Sequence, residues 1–282
     1  MTTRRWRVIA FSVAGVLFLA AVVVASQLPA YGAGALLHPA RRRVTGARPP
    51  TCQDEIFDGE GLELRGWRCR ASGTRRGTLV YLHGVGDNRT SAAGVIDRFG
   101  KRGFDVIAYD SRAHGDSQGD ICTYGFFEKR DLFRVLDTVD AGPIVLIGTS
   151  LGAAVALQEA ALDTRVTAVI AAETFSDLRT VATERAPFFF TPGTIARAFR
   201  LAEEQGRFEV DAVSPEAAAR AIRIPVLLVH GATDVDTPLD HSRRVLAALA
   251  GPKRLILVPG AGHNESLRGE VWDEIDQLMD AR

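Results

Sequence analysis

Pro143-Ile144-Val145-Leu146-Ile147-Gly148-Thr149-Ser150-Leu151-Gly152 leads directly into Ala153-Ala154-Val155-Ala156-Leu157-Gln158-Glu159. A short β-branched run enters a Gly-x-Ser-x-Gly, and an alanine-rich helix former leaves it. Strand, sharp turn and helix form the context in which a Gly-x-Ser-x-Gly lifts its serine hydroxyl clear of the backbone. Gly148 and Gly152 stand two residues either side of Ser150, where strand and helix crowd each other and a Cβ would clash. The Leu151 amide then opens the new helix with no carbonyl partner and faces any oxyanion beside Ser150.

The same rhythm extends outward from this elbow. Thr78–Leu82 reads as an apolar strand ending in His83-Gly84-Val85-Gly86, and a helix is expected over about Ser91–Arg102. Phe104–Tyr109 is a second strand and Phe127–Val139 a helix; Val166–Ala172 is a further buried strand. The alternation breaks between Glu173 and Val213. It resumes with a helix from Ser214-Pro215, a strand at Pro225–His230, a helix at Pro238–Leu249, a strand at Arg254–Val258 and a helix from Asn264 or Glu265 onward. Strands alternating with helices predict an α/β fold, with a mostly parallel central sheet and helices on both faces. Ligands in such sheets bind beyond the carboxyl ends of the strands, and His83, Ser150, Asp234 and His263 all follow strands.

A serine needs a base to become a nucleophile. Of the six histidines, His38 falls in a linker, His83 and His114 in rim loops, His230 at a strand end as a packed group, and His241 on a helix. His263, in the flexible Pro259-Gly260-Ala261-Gly262-His263-Asn264 after the last strand, is the candidate base. Asp234 is the candidate orienting acid, and Asp236, nearer the next helix, is expected to cap it. The order Ser150, Asp234, His263 is that of α/β-hydrolases. The oxyanion donors expected are the Leu151 and Val85 amides, the second aimed by Gly84 and Gly86.

Taken together, His83-Gly84, Tyr109-Asp110-x-Arg112…Gly115-x-Ser117-x-Gly119, Gly148-x-Ser150-x-Gly152, His230-Gly231-x-x-Asp234-x-x-x-Pro238 with His241-Ser242, and Gly262-His263 resemble the α/β-hydrolase-fold serine hydrolases. The pattern is similar to their single-span membrane-anchored members and to the serine aminopeptidase and monoacylglycerol-lipase-like group. Two departures stand out. Many relatives have Arg-Gly at Arg112-Ala113, and a polar residue is common at Val85. The resemblance implies ester, thioester or amide hydrolysis through an acyl-enzyme, without metal or organic cofactor. A lipophilic acyl ester is the expected substrate. Peptidase action and a catalytically silent, membrane-tethered binding protein are the alternatives. Arg112 is expected to form a structural ion pair.

The flanks add an address. Arg4-Arg5-Trp6-Arg7 precedes an uncharged run from Val8 to about Leu28, long enough to cross a bilayer. An N-terminal anchor over 1–28 is expected, with a signal peptide cleaved near Val24-Ala25-Ser26 as the competing reading. The arginines before it favour an extracytoplasmic catalytic domain. Residues 29–51, punctuated by prolines, read as a juxtamembrane linker, 52–282 as the hydrolase domain, and about 176–213 as an apolar cap insertion with Pro187-Phe188-Phe189-Phe190. Lysines plus arginines equal aspartates plus glutamates at 34 each. With no basic stripe, nucleic acid is not an expected partner. Asp58-Gly59-Glu60-Gly61 reads as a hairpin turn. If Glu60-Gly61 forms its loop, Cys52 faces Cys69, and a bridge is the expectation against two free thiols.

Overall fold

The computed structural model describes residues 2–280, and the side chains of 6 and 11–280. The side chains of Arg4, Arg5 and Arg7, which favour the orientation, lie outside the described residues.

Eight strands form one sheet: β1 (Cys52–Asp58), β2 (Glu63–Cys69), β3 (Gly77–Leu82), β4 (Phe104–Tyr109), β5 (Ile144–Thr149), β6 (Val166–Ala172), β7 (Val226–Gly231) and β8 (Lys253–Val258). Their spatial order is β1-β2-β4-β3-β5-β6-β7-β8. The β1–β2 and β2–β4 pairs are antiparallel, and every other pair is parallel. The inner strands are buried on both faces, as their near-continuous aliphatic sequences require. Alternate residues feed opposite layers. Val80 and Leu82 of β3 pack with α3 (Glu128–Leu136), α4 (Leu151–Ala160), α7 (Pro215–Ala219) and α8 (Asp240–Ala248), whereas Leu79 and Tyr81 face α2 (Ala93–Gly100) and α9 (Val271–Asp280).

The first hairpin has the expected register. Cys52 pairs with Cys69 and Asp58 with Glu63, around Glu60-Gly61, with Gly61 at φ +76°. Cys52 and Cys69 are joined by a disulfide, and Cys122 is a buried free thiol.

Three expectations are corrected. The N-terminal helix α1 does not stop near Leu28 but spans Thr2–Leu37, so residues 29–37 are helix and not linker. Pro29 removes one backbone donor from the helix interior. Packing offsets that loss: Pro29, Ala33 and Leu37 recur every fourth residue on one buried face. Ala33 and Leu37 join Phe199 and Ala202 of α6 (Pro192–Gly206) and Val181 of α5 (Leu178–Glu184) in an apolar cluster. Before Leu28 the apolar side chains from Phe11 onward are exposed. The terminal helix begins at Val271, not at Asn264 or Glu265, because Asn264 at φ +62° and Gly269 at φ +54° interrupt the chain. Asp236 does not cap the helix after β7, which starts only at Asp240.

Candidate active site

The elbow is built as its glycines demand. Ser150 sits at φ +50°, ψ −111°, between β5 and α4. A Cβ at Gly148 would lie 2.4 Å from the Gly152 carbonyl carbon, and one at Gly152 would lie 2.1 Å from the Leu82 carbonyl oxygen. No L side chain fits either position, so strand and helix close to backbone contact and carry Ser150 to the rim. The Ser150 amide donates to the Ala172 carbonyl at 2.8 Å, which ties the turn to the neighbouring strand.

Ser150, Asp234 and His263 converge from the ends of three strands. The Ser150 hydroxyl donates to His263 Nε2 at 2.9 Å, and His263 Nδ1–H donates to Asp234 Oδ2 at 2.7 Å. The other Asp234 oxygen, Oδ1, accepts from the Asp236 and Thr237 amides at 2.9 and 2.8 Å. Burial opposes the charge on Asp234. The His263 hydrogen bond and the Thr237 amide outweigh it and hold the carboxyl below its usual range. The histidine loop needs its own close approach: a Cβ at Gly231 would lie 2.4 Å from the Ala261 carbonyl oxygen.

The first rim loop lies beside the serine. A Cβ at Gly84 would be 3.6 Å from Ser150 Cβ, Gly86 adopts φ +72°, and the Val85 amide between them has no acceptor among the described residues. Leu151 opens α4, where no carbonyl lies one helical turn back. Gly84, the residue before Val85, and Leu151 thus both adjoin Ser150. A cleft of about 500 Å³ opens here, lined by Val85, Glu184, Arg185, Asp236 and His263.

Three of the remaining histidines are held in buried hydrogen-bond networks. His83 is buried with Nδ1–H to the Gly84 carbonyl (2.7 Å) and Nε2 accepting from the Ser111 amide (3.0 Å). His230 Nε2–H donates to the Thr237 carbonyl at 2.9 Å, while Nδ1 accepts from Ser242 at 2.7 Å. His241 bridges Ser176 and Glu184 from the start of α8. Arg112 forms a buried bidentate pair with Asp131, at 2.6 and 2.7 Å. Among the described residues, no three His, Cys, Asp or Glu side chains gather into a metal-binding group.

Two contributors were missed in the sequence. Glu173 follows β6 at φ +50°, is fully buried, and accepts the Ser266 amide at 3.0 Å, which braces the loop carrying His263. Burial raises its pKa. An acid directly after the apolar strand Val166–Ala172 stands at the same rim as the other site residues, and that position is the signal. Arg185, at the end of α5, donates to the Asp236 carbonyl and to Thr237 Oγ1, both at 2.6 Å, and so holds the acid loop. Nothing local in the sequence marks it.

A family model described as the alpha/beta hydrolase fold matches residues 77–209. The uncharacterized Escherichia coli K12 protein YfhR is 28% identical over 253 residues, covering 84% of this chain and 83% of its own. The Pyrococcus furiosus esterase Pf2001 superposes with a TM-score of 0.66 at 23% identity, over 86% of this chain and 96% of the esterase. An acylaminoacyl peptidase from Pyrococcus horikoshii superposes with a TM-score of 0.64 at 16% identity, over 81% of this chain and 41% of the peptidase. By sheet order, elbow and these similarities, the chain has the alpha/beta hydrolase fold.

Proposed function

We propose that the protein is a serine hydrolase that cleaves a carboxylic ester or thioester of a lipophilic acyl group through an acyl-enzyme. The observation that carries this reading is the unbroken relay Ser150–His263–Asp234 at 2.9 and 2.7 Å, on a serine held at positive φ. In the first step Ser150 Oγ attacks the acyl carbon and its proton passes to His263 Nε2. Asp234 keeps the imidazole in the tautomer that can accept that proton and stabilises the imidazolium. The oxyanion takes hydrogen bonds from the Val85 and Leu151 amides. As the intermediate collapses, the imidazolium returns the proton to the leaving alcohol or thiol, and water then repeats the sequence on the acyl-serine.

The apolar N-terminal helix supports a membrane-anchored enzyme, since Phe11–Leu37 is long and apolar enough to cross a bilayer. The Cys52–Cys69 bridge supports an extracytoplasmic catalytic domain, because such bonds persist in oxidising compartments.

The test is labelling by a fluorophosphonate probe, wild type against Ser150→Ala, followed by a series of esters, thioesters and aminoacyl amides. Labelling of the wild type alone and preference for esters or thioesters is expected. A folded wild type that does not label and turns over nothing would return the protein to the binding class; preference for the amides would make it a peptidase.

A further inference from the structure

The N-terminal helix and the cap enclose a second cavity, of about 340 Å³, that the catalytic relay leaves unused. Tyr31, Ala35 and Leu36 of α1 form one wall, and Val181, Phe190 and Phe199 of the cap form the other. Among the described residues, Arg185 is the one charged member of the lining, and it also lines the catalytic cleft with His263. Its guanidinium is turned away to the Asp236 carbonyl and the Thr237 hydroxyl. The cavity is therefore an apolar chamber next to the cleft that His263 lines, with Arg185 common to both walls.

Its depth follows from helix geometry. From Val8 to Leu28 the helix rises about 31 Å at 1.5 Å per residue, which is about the thickness of a bilayer's hydrocarbon core. Tyr31 and Ala35 come on the next turns, at the level of the headgroups, where an exposed tyrosine is favoured. The cap reaches the same level. Phe190 packs so close to α1 that a Cβ on Gly32 would lie 2.9 Å from its ring. The preceding Phe188 is 99% exposed and Phe189 52%. Two adjacent phenylalanines left in water beside a membrane helix suit insertion among acyl chains.

We propose that this cavity receives the acyl chain of a lipid substrate drawn from the adjoining leaflet, so that the membrane helix is itself one wall of the substrate site. The inference rests on the hydrolase reading and on α1 spanning the bilayer. The acyl chain lies between α1 and the cap, its carbonyl passes Arg185 to reach Ser150, and Phe188 and Phe189 hold the cavity's mouth in the leaflet.

The test uses the full-length protein in phospholipid vesicles. Ala35→Trp fills the cavity from an exposed position on α1, and Ala182→Phe fills it from the cap. Fluorophosphonate labelling of each variant controls for folding and for the nucleophile. In both variants the laurate-to-butyrate ratio of kcat/KM for the p-nitrophenyl esters is expected to fall roughly tenfold, the effect of leaving about two methylenes in water. An unchanged laurate-to-butyrate ratio in labelled protein overturns the inference alone; a wild type that never labels overturns the hydrolase reading and the inference with it. The double variant Phe188→Ser, Phe189→Ser separates the sources of the chain. It is expected to slow laurate ester embedded in vesicles more than the same ester dispersed in detergent. Equal effects on the two presentations overturn entry from the leaflet.

Discussion

Thr233 donates to the Ala261 carbonyl twice, from its amide at 2.9 Å and from its hydroxyl at 2.8 Å. The first residue stands one before Asp234 and the second stands two before His263, so the acid loop and the base loop are sewn together at one oxygen. Thr233→Val keeps the amide bond and loses the hydroxyl. A stability loss of about 1 kcal/mol is expected by chemical denaturation, with only a small fall in kcat.

Asp234→Asn keeps the shape of the same loop and removes its charge. An amide in this position favours the wrong imidazole tautomer, so kcat is expected to fall by about 10⁴ while the melting temperature moves little. A full rate in the Asp234→Asn variant would mean that the carboxylate does not orient His263. Steady-state ester hydrolysis beside a thermal melt reads both quantities.

Ala113 occupies φ +63° and is buried. An L residue in the left-handed region costs about 1–2 kcal/mol, and glycine gives back part of that as unfolded-chain entropy. Ala113→Gly is therefore expected to stabilise the protein by about 0.5–1 kcal/mol without changing turnover. A loss of stability would show that the buried methyl contributes more than the backbone conformation costs.

The disulfide closes a separation of 17 residues at the edge of the sheet. Cys52→Ser with Cys69→Ser is expected to cost about 3 kcal/mol, close to the loop-closure value for such a span. Wild type melted with reductant should match the variant melted without it. The relay lies on other strands, so kcat measured well below the melting temperature should be unaffected.

Acid should destabilise the fold through its buried histidines. Burial, with His83 alongside, lowers the His114 pKa to about 4. Its Nδ1–H is donated to the Arg112 carbonyl and its buried Nε2 has no partner among the described residues, so a second proton would have nowhere to bond. Between pH 6.5 and about 4 the unfolded chain binds a proton that the native state refuses, and stability falls as pH falls. The loss for His114 is on the order of 3 kcal/mol. His83 and His230 are also lowered, first by burial, and act with the same sign. Glu159, raised to about 7 by burial, acts with the opposite sign because its native form binds the proton first. Denaturation at about pH 7.5 and pH 5 should therefore show a smaller acid penalty for His114→Gln than for the wild type. Equal penalties would remove His114 from the account.

Much of this arrangement was legible because it is local. Val166–Ala172 reads as a strand from its own consecutive residues, and the hairpin register follows from one Glu-Gly loop. Ser150, Asp234 and His263 each follow a strand, and the sheet's topology brings such positions to one rim. The missed features depend on distant partners. Pro29 looks like linker punctuation until α6 supplies a surface for Ala33 and Leu37 on the same helix. Asp236 looks like a helix cap until its amide is seen donating to Asp234 and its carbonyl accepting from Arg185. The loop from Asn264 to Glu270 has helix-compatible residues, and Glu173, far earlier in the chain, draws its Ser266 amide into another conformation.

The passage of α1 through Pro29 into the cap has a practical result for anyone preparing the protein without its apolar N-terminus. Severing the chain just before Cys52 strips Ala33 and Leu37 from Phe199, Ala202 and Val181, and leaves an open greasy face that invites aggregation. A cut just before Leu28 discards the exposed apolar stretch and spares the buried one. The useful boundary for a water-soluble form therefore lies inside the helix, where solvent exposure changes, and not at the first strand.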